Sequence, residues 1–84
     1  MWAVARSICP LTVCAWRLGS LGVADLWCRY LILGGTAHRD GLIDYLDGIA
    51  DWPAHEHNIL AHTLNEHLWD LGLPELAPMR RPAV

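Results

Sequence analysis

The chain has no glycine-rich phosphate loop, no internal repeat and no low-complexity tract, and its 84 residues include no lysine, phenylalanine or glutamine. Without a glycine-rich loop there is no backbone cradle for nucleotide phosphates. The missing Lys and Phe, beside plentiful Ala, Leu, Gly, Arg and Trp, match GC-rich codon usage and carry no structural weight. Serine is confined to Ser7 and Ser20, and neither lies in the Gly-x-Ser-x-Gly turn of a serine hydrolase. The three cysteines, Cys9, Cys14 and Cys28, show no Cys-x-x-Cys or zinc-knuckle spacing. An odd, scattered set of this kind predicts free thiols in a reducing, cytoplasmic setting. Cys28 lies in a mostly apolar helix with no basic neighbour except Arg29, so a buried, inert thiol is expected there.

Long apolar runs are also missing. A membrane span needs about 20 apolar residues, whereas Arg6 and Arg17 leave only Ser7–Trp16 between them, with Pro10 inside. Arg17 likewise separates that short apolar stretch from any cleavage site, which argues against a secretory leader. Residues 1–22 contain no acid at all, while the other four arginines face all nine Asp and Glu. This break in composition predicts that the first 22 residues are not part of the native fold, Val23 serving as an alternative start; intact mass of the native protein tests it. If the segment is translated, a frayed or loosely docked helix around Leu11–Arg17 is expected. The body is acidic, with a net charge of −3 for the whole chain, which disfavours nucleic acid and anionic membranes as partners.

What remains is apolar and helical. Hydrophobic residues make up 54 % of the chain and charged ones 18 %, too apolar for disorder. One domain of this size buries only about 60 % of its unfolded surface, so marginal stability is expected. Asp25 is a fitting N-cap for a helix through Leu33, ended by Gly34-Gly35. Thr36 can cap a second helix whose apolar stripe is Leu42, Ile43, Leu46, Ile49 and Ala50. Trp52-Pro53 breaks that pattern. Pro53 opens the third and longest helix, which Gly72 closes. The prolines at 74 and 78 forbid further helix, and a loose tail over residues 74–84 is predicted. The fold class is therefore all-α: a three-helix bundle over residues 23–73 with a poorly packed or mis-assigned N-terminal segment. Its expected core is Leu26, Trp27, Tyr30, Leu31, Leu42, Ile43, Leu46, Ile49, Leu60, Leu64, Leu68 and Leu71.

The third helix holds four of the five histidines. At about 100° per residue, Leu60, Leu64, Leu68 and Leu71 share one arc. His57 and His67 border it, which predicts core-rim histidines with a polar tip in water. Protonating such a buried histidine would couple pH to structure. Asn58, His62, Asn65 and Trp69 fall on the far side, with Glu66 adjoining. An outward tryptophan in a polar surround is how interface anchors look, so Trp69, Asn58, His62, Asn65 and Glu66 are the predicted partner-binding residues. The competing expectation is that Trp69 folds back onto Leu73 or Leu76, or lies under the N-terminal segment.

Zinc-protease motifs fail: His55-Glu56 would need histidine where Ile59 stands, and His62 and Glu66-His67 are one residue too far apart for the inverted motif. A metal could still draw on His62 and Glu66, four apart on one face, with Asp47 or Asp51 from the second helix. The turn before Pro53 has helix–turn–helix dimensions, but residues 53–72 hold no Arg or Lys for phosphates, which sets DNA reading aside.

The motifs Leu26-Trp27-Cys28-Arg29-Tyr30-Leu31 leading to Gly34-Gly35, Leu42-Ile43-Asp44-Tyr45-Leu46, and Pro53-Ala54-His55-Glu56-His57 leading to Leu64-Asn65-Glu66-His67 resemble a group of short actinobacterial helical proteins. The resemblance spans residues 25–72 and brings with it no activity and no site. The function expected from the sequence is a non-enzymatic, regulatory protein-interaction module, without cofactor, binding another protein or itself; the alternative is a small histidine/carboxylate metal-binding protein.

Overall fold

The computed structural model describes residues 10–81. Cys9, Ser7 and Arg6 lie outside them, as do the last three residues of the tail. Four helices follow in order: α1 Pro10–Gly19, α2 Val23–Ile32, α3 Arg39–Leu46 and α4 Ala54–Asp70. The fold is all-α, and the described residues contain no strand. Among them no helix is long and apolar enough to cross a membrane.

The helix expected to be loosely docked is α1, and it is packed. Its small residues Thr12, Ala15 and Gly19 are buried, which lets its backbone come close to α4. The Gly19 carbonyl accepts a hydrogen bond from His67 Nε2 at 2.9 Å. That carbonyl also takes the polar tip of His67 that the sequence reading assigns to water. The count is thus four helices rather than three and a frayed segment.

Helix boundaries shift for local reasons. Val23 and Ala24 are already helical, so Asp25 sits in the first turn of α2 and Gly22 is the N-cap; the carboxylate still faces the positive end of the helix dipole. His38, not Thr36, caps α3. Helix α3 also ends early, at Leu46, because Gly48 turns to φ 78° and Ile49 N–H bonds back to Asp44 O at 2.8 Å. Such a left-handed turn is the usual helix stop. The bounds expected for α4 hold, with Pro53 as N-cap.

Leu26 and Tyr30 from α2, Leu42 and Leu46 from α3, and Leu60, Leu64 and Leu68 from α4 form the expected centre. Each such leucine contributes about 1.5–3 kcal/mol by leaving water. Trp27 and Ile43 are half-buried. Three expected core residues are exposed: Leu31, Ile49 and Leu71. Leu31 is about a third of a turn off the Leu26–Tyr30 line, Ile49 lies beyond the Gly48 turn, and Leu71 is the C-cap of α4. In their place Tyr45 and Trp52 are buried. The Trp52 ring stacks on Tyr45 at 4.5 Å and on Tyr30 at 5.3 Å, so the break between α3 and α4 is itself a core element.

Candidate interaction faces of the last helix

Beyond its leucine stripe the outer side of α4 has a covered part and a bare part. The first carries Asn58, Asn65 and His57. Asn65 Nδ2 donates to Ala77 O at 2.8 Å while its Oδ1 accepts from Ala77 N–H at 2.9 Å. Asn58 does the same for Arg80, at 2.8 and 2.7 Å. Residues 77–80 are therefore a strap held along α4, not the loose tail expected from the prolines. Asn58 and Asn65, proposed from sequence as partner contacts, already spend their amides on the chain itself.

His57 lies beneath the strap and is only 1 % exposed, so the expectation of a water-facing tip is corrected. Its Nε2 is 2.9 Å from Pro78 O. A carbonyl can only accept, so Nε2 carries the hydrogen. Nδ1 is then the acceptor for the Tyr45 hydroxyl at 2.6 Å. That hydroxyl in turn accepts a short hydrogen bond from Arg80 Nη2. Arg80 Nη1 donates to Trp52 O at 2.8 Å, and Asp51 stands 3.6 Å from the guanidinium. Burial pushes the His57 imidazole below its ordinary pKa; the hydrogen bond to the Pro78 carbonyl opposes this, the Arg80 charge adds to it, and Asp51 pulls slightly upward.

At the start of α4 a second polar knot fixes the α2–α3 connection. Tyr30 donates a short hydrogen bond to Glu56, and Thr36 N–H reaches Glu56 Oε1 at 3.0 Å. Ala37 N–H donates to the Tyr30 hydroxyl at 2.9 Å. Gly35 passes so close to the Tyr30 ring that a Cβ there would overlap it. Burial draws the Glu56 carboxyl upward, but the hydrogen bonds from Tyr30 and Thr36, aided by His55, together outweigh it and set the group below its ordinary value. Burial and the Glu56 carboxylate raise the Tyr30 phenol.

The second part, toward the C-terminal end of α4 and the groove against α2, is bare. Trp69 is 70 % exposed, so among the described residues neither Leu73, Leu76 nor α1 covers the indole. His62 Nε2 and Glu66 Oε2 are 3.3 Å apart on the outside of α4, a pair worth a few tenths of a kcal/mol at most. Glu66 also lines a groove of about 120 Å³ with Arg29, Ile32, Leu33 and Thr63. Ile32 is 81 % exposed. Helical arithmetic turns Trp69, His62 and Glu66 outward together with the two asparagines; the α2 residues across the groove carry no sequence signal, because the cap-to-glycine frame of α2 does not say which end meets α4.

The four candidate metal ligands do not assemble. His62 and Glu66 form a pair, Asp51 faces Arg80, and Asp47 lines a separate cleft with Cys14 and Arg17 between α1 and the end of α3. Among the described residues no three His, Cys, Asp or Glu side chains form a group able to hold a metal ion. Cys28 is exposed rather than buried.

No family model, curated protein or solved structure matches the chain.

Proposed function

We infer that the protein is a non-enzymatic, regulatory protein-interaction module whose docking surface is the bare face of α4 and the adjoining end of α2. The observation that carries this is the exposure of two large apolar side chains, Trp69 at 70 % and Ile32 at 81 %; Trp69 stands three residues beyond Glu66, which shares a groove with Ile32 and Leu33. Large apolar side chains in water are costly unless something covers them, and contiguous ones mark contact surfaces. Arg29 and Glu66 supply charges of both signs at the rim, and rim charge sets orientation and on-rate more than affinity. The occupant is a protein surface with an apolar centre, either another chain or a second copy.

The test compares the full chain with Trp69→Ala and Ile32→Ser in sedimentation velocity and in capture of tagged protein. Each variant is expected to keep its helical circular dichroism and to lose the partner or dimer seen with the unaltered chain. Loss of stability with the contact retained would make Trp69 a structural residue and end this reading.

A further inference from the structure

The covered face of α4 meets residues 77–80 as a receptor meets a bound peptide. A helix rises about 1.5 Å per residue, so Asn58 and Asn65 stand about 10.5 Å apart along its axis. An extended chain advances about 3.3–3.6 Å per residue, so three steps, from Ala77 to Arg80, cover about the same length. That match lets each asparagine clamp one whole residue, N–H and C=O together. Both clamps read main chain only and so accept any side chain in themselves.

Side-chain selection comes from what lies between and beside the clamps. Ala77 is 3 % exposed, which leaves room for a small residue alone. Pro78 needs no donor partner and offers its carbonyl to His57 Nε2. Met79 faces solvent and is not read. Arg80 enters a socket made by the Trp52 carbonyl, the Tyr45 hydroxyl and ring, and the Asp51 carboxylate. A planar guanidinium fits such a fork of acceptors where an ammonium would not. The whole recognition element is a linear run, Ala-Pro-x-Arg, delivered by a short loop after Gly72.

We propose that this face of α4 is a binding groove for extended Ala-Pro-x-Arg segments of a partner protein, occupied in cis by residues 77–80 of the chain itself. The groove uses none of Trp69, Ile32 and Leu33, so it stands or falls apart from the docking surface above. A strap on a short tether competes at an effective concentration on the order of millimolar. A free peptide therefore gains access when the cis strap is weakened without altering the groove.

The experiment titrates a fluorescein-labelled peptide with the sequence of residues 74–81 against three full-length chains: unaltered, Arg80→Ala and Ala77→Glu. The first substitution empties the socket, and the second places a charge where only a small side chain fits. Circular dichroism is recorded for each. Both variants are expected to stay helical and to bind the peptide at least about tenfold more tightly than the unaltered chain does. A peptide with alanine in place of the arginine matching Arg80 is expected to bind at least about tenfold more weakly, since it loses the charge-assisted hydrogen bonds to the Trp52 carbonyl and the Tyr45 hydroxyl. Helical variants that leave the peptide free overturn the proposal, as does binding indifferent to that arginine. Unfolding of both variants also overturns it, because the strap is then part of the core and not a detachable ligand. Dimers that exchange tails and exclude the peptide overturn it in favour of a second copy as the occupant.

Discussion

Along the outer side of α4, nearly every polar group under the strap has a partner; toward the end of the helix and across the groove on α2, an indole and an isoleucine stand in water. The Asn58–Asn65 flank joins α3, the Trp52 turn and the strap through hydrogen bonds. The Trp69 flank has the His62–Glu66 pair and a shallow groove against α2. The difference teaches that polarity on the outer side of a helix does not mean solvation. Asparagines spaced for an extended chain are a structural device, and bare hydrophobes beside them are the part that folding leaves unused.

The largest expected effect lies under the covered flank. Trp52→Ala removes the ring between Tyr30 and Tyr45 and should cost about 3–5 kcal/mol in urea unfolding, against a whole-domain stability of about 5–15 kcal/mol. Ile32→Ser on the bare flank should change the same midpoint by no more than about 0.5 kcal/mol. Equal costs at the two sites would erase the contrast. Next comes Asn65→Ala, which leaves Ala77 N–H and C=O without their clamp. A loss of about 1–3 kcal/mol is expected, with faster amide exchange at Ala77 and unchanged exchange in α2.

Titration should sharpen the contrast further. His57 has a folded pKa below its ordinary value of about 6.5. Between the two values the unfolded chain binds more protons than the folded one, so stability is complete above about pH 6.5 and declines as pH falls through that point. His57→Gln should remove this decline. A second decline should remain at lower pH, because Glu56 is also depressed below its ordinary value of about 4.5; its contribution is present above that value and lost as pH drops through the folded pKa. Tryptophan fluorescence against pH at fixed urea reads both. The smallest effect on stability belongs to Trp69→Ala, within about 0.5 kcal/mol, whereas its effect on association should be complete.

Much of α4 was legible from sequence because its leucines repeat at helical period and Pro53 and Gly72 bracket it. The outward position of Trp69 followed from the same arithmetic. The strap did not. Asn58 and Asn65 read as solvated polar positions, since seven-residue spacing signals a clamp only when an extended chain is known to return beside it. Pro74 and Pro78 are barriers to helix, but proline also suits a strap that pairs through selected amides. Tyr45 lies among Asp44 and Asp47 and Trp52 sits before a proline, so each local context is polar or broken and hides a core aromatic. In α1 the spacing of Thr12, Ala15 and Gly19 was an available sign of close helix packing, masked by the charge break at residue 22.

The two adjacent glycines after α2 differ in what they protect. Gly34 adopts φ 102° with open space around it, so its constraint is one of handedness: an L-alanine is strained there by about 1–2 kcal/mol, and a mirror-image D-alanine introduced by chemical synthesis should be accommodated. Gly35 has no such backbone requirement and instead lies against the Tyr30 ring. L-alanine at that position should dislodge the phenol from Glu56, a loss that no inversion of chirality at the neighbouring residue can repair.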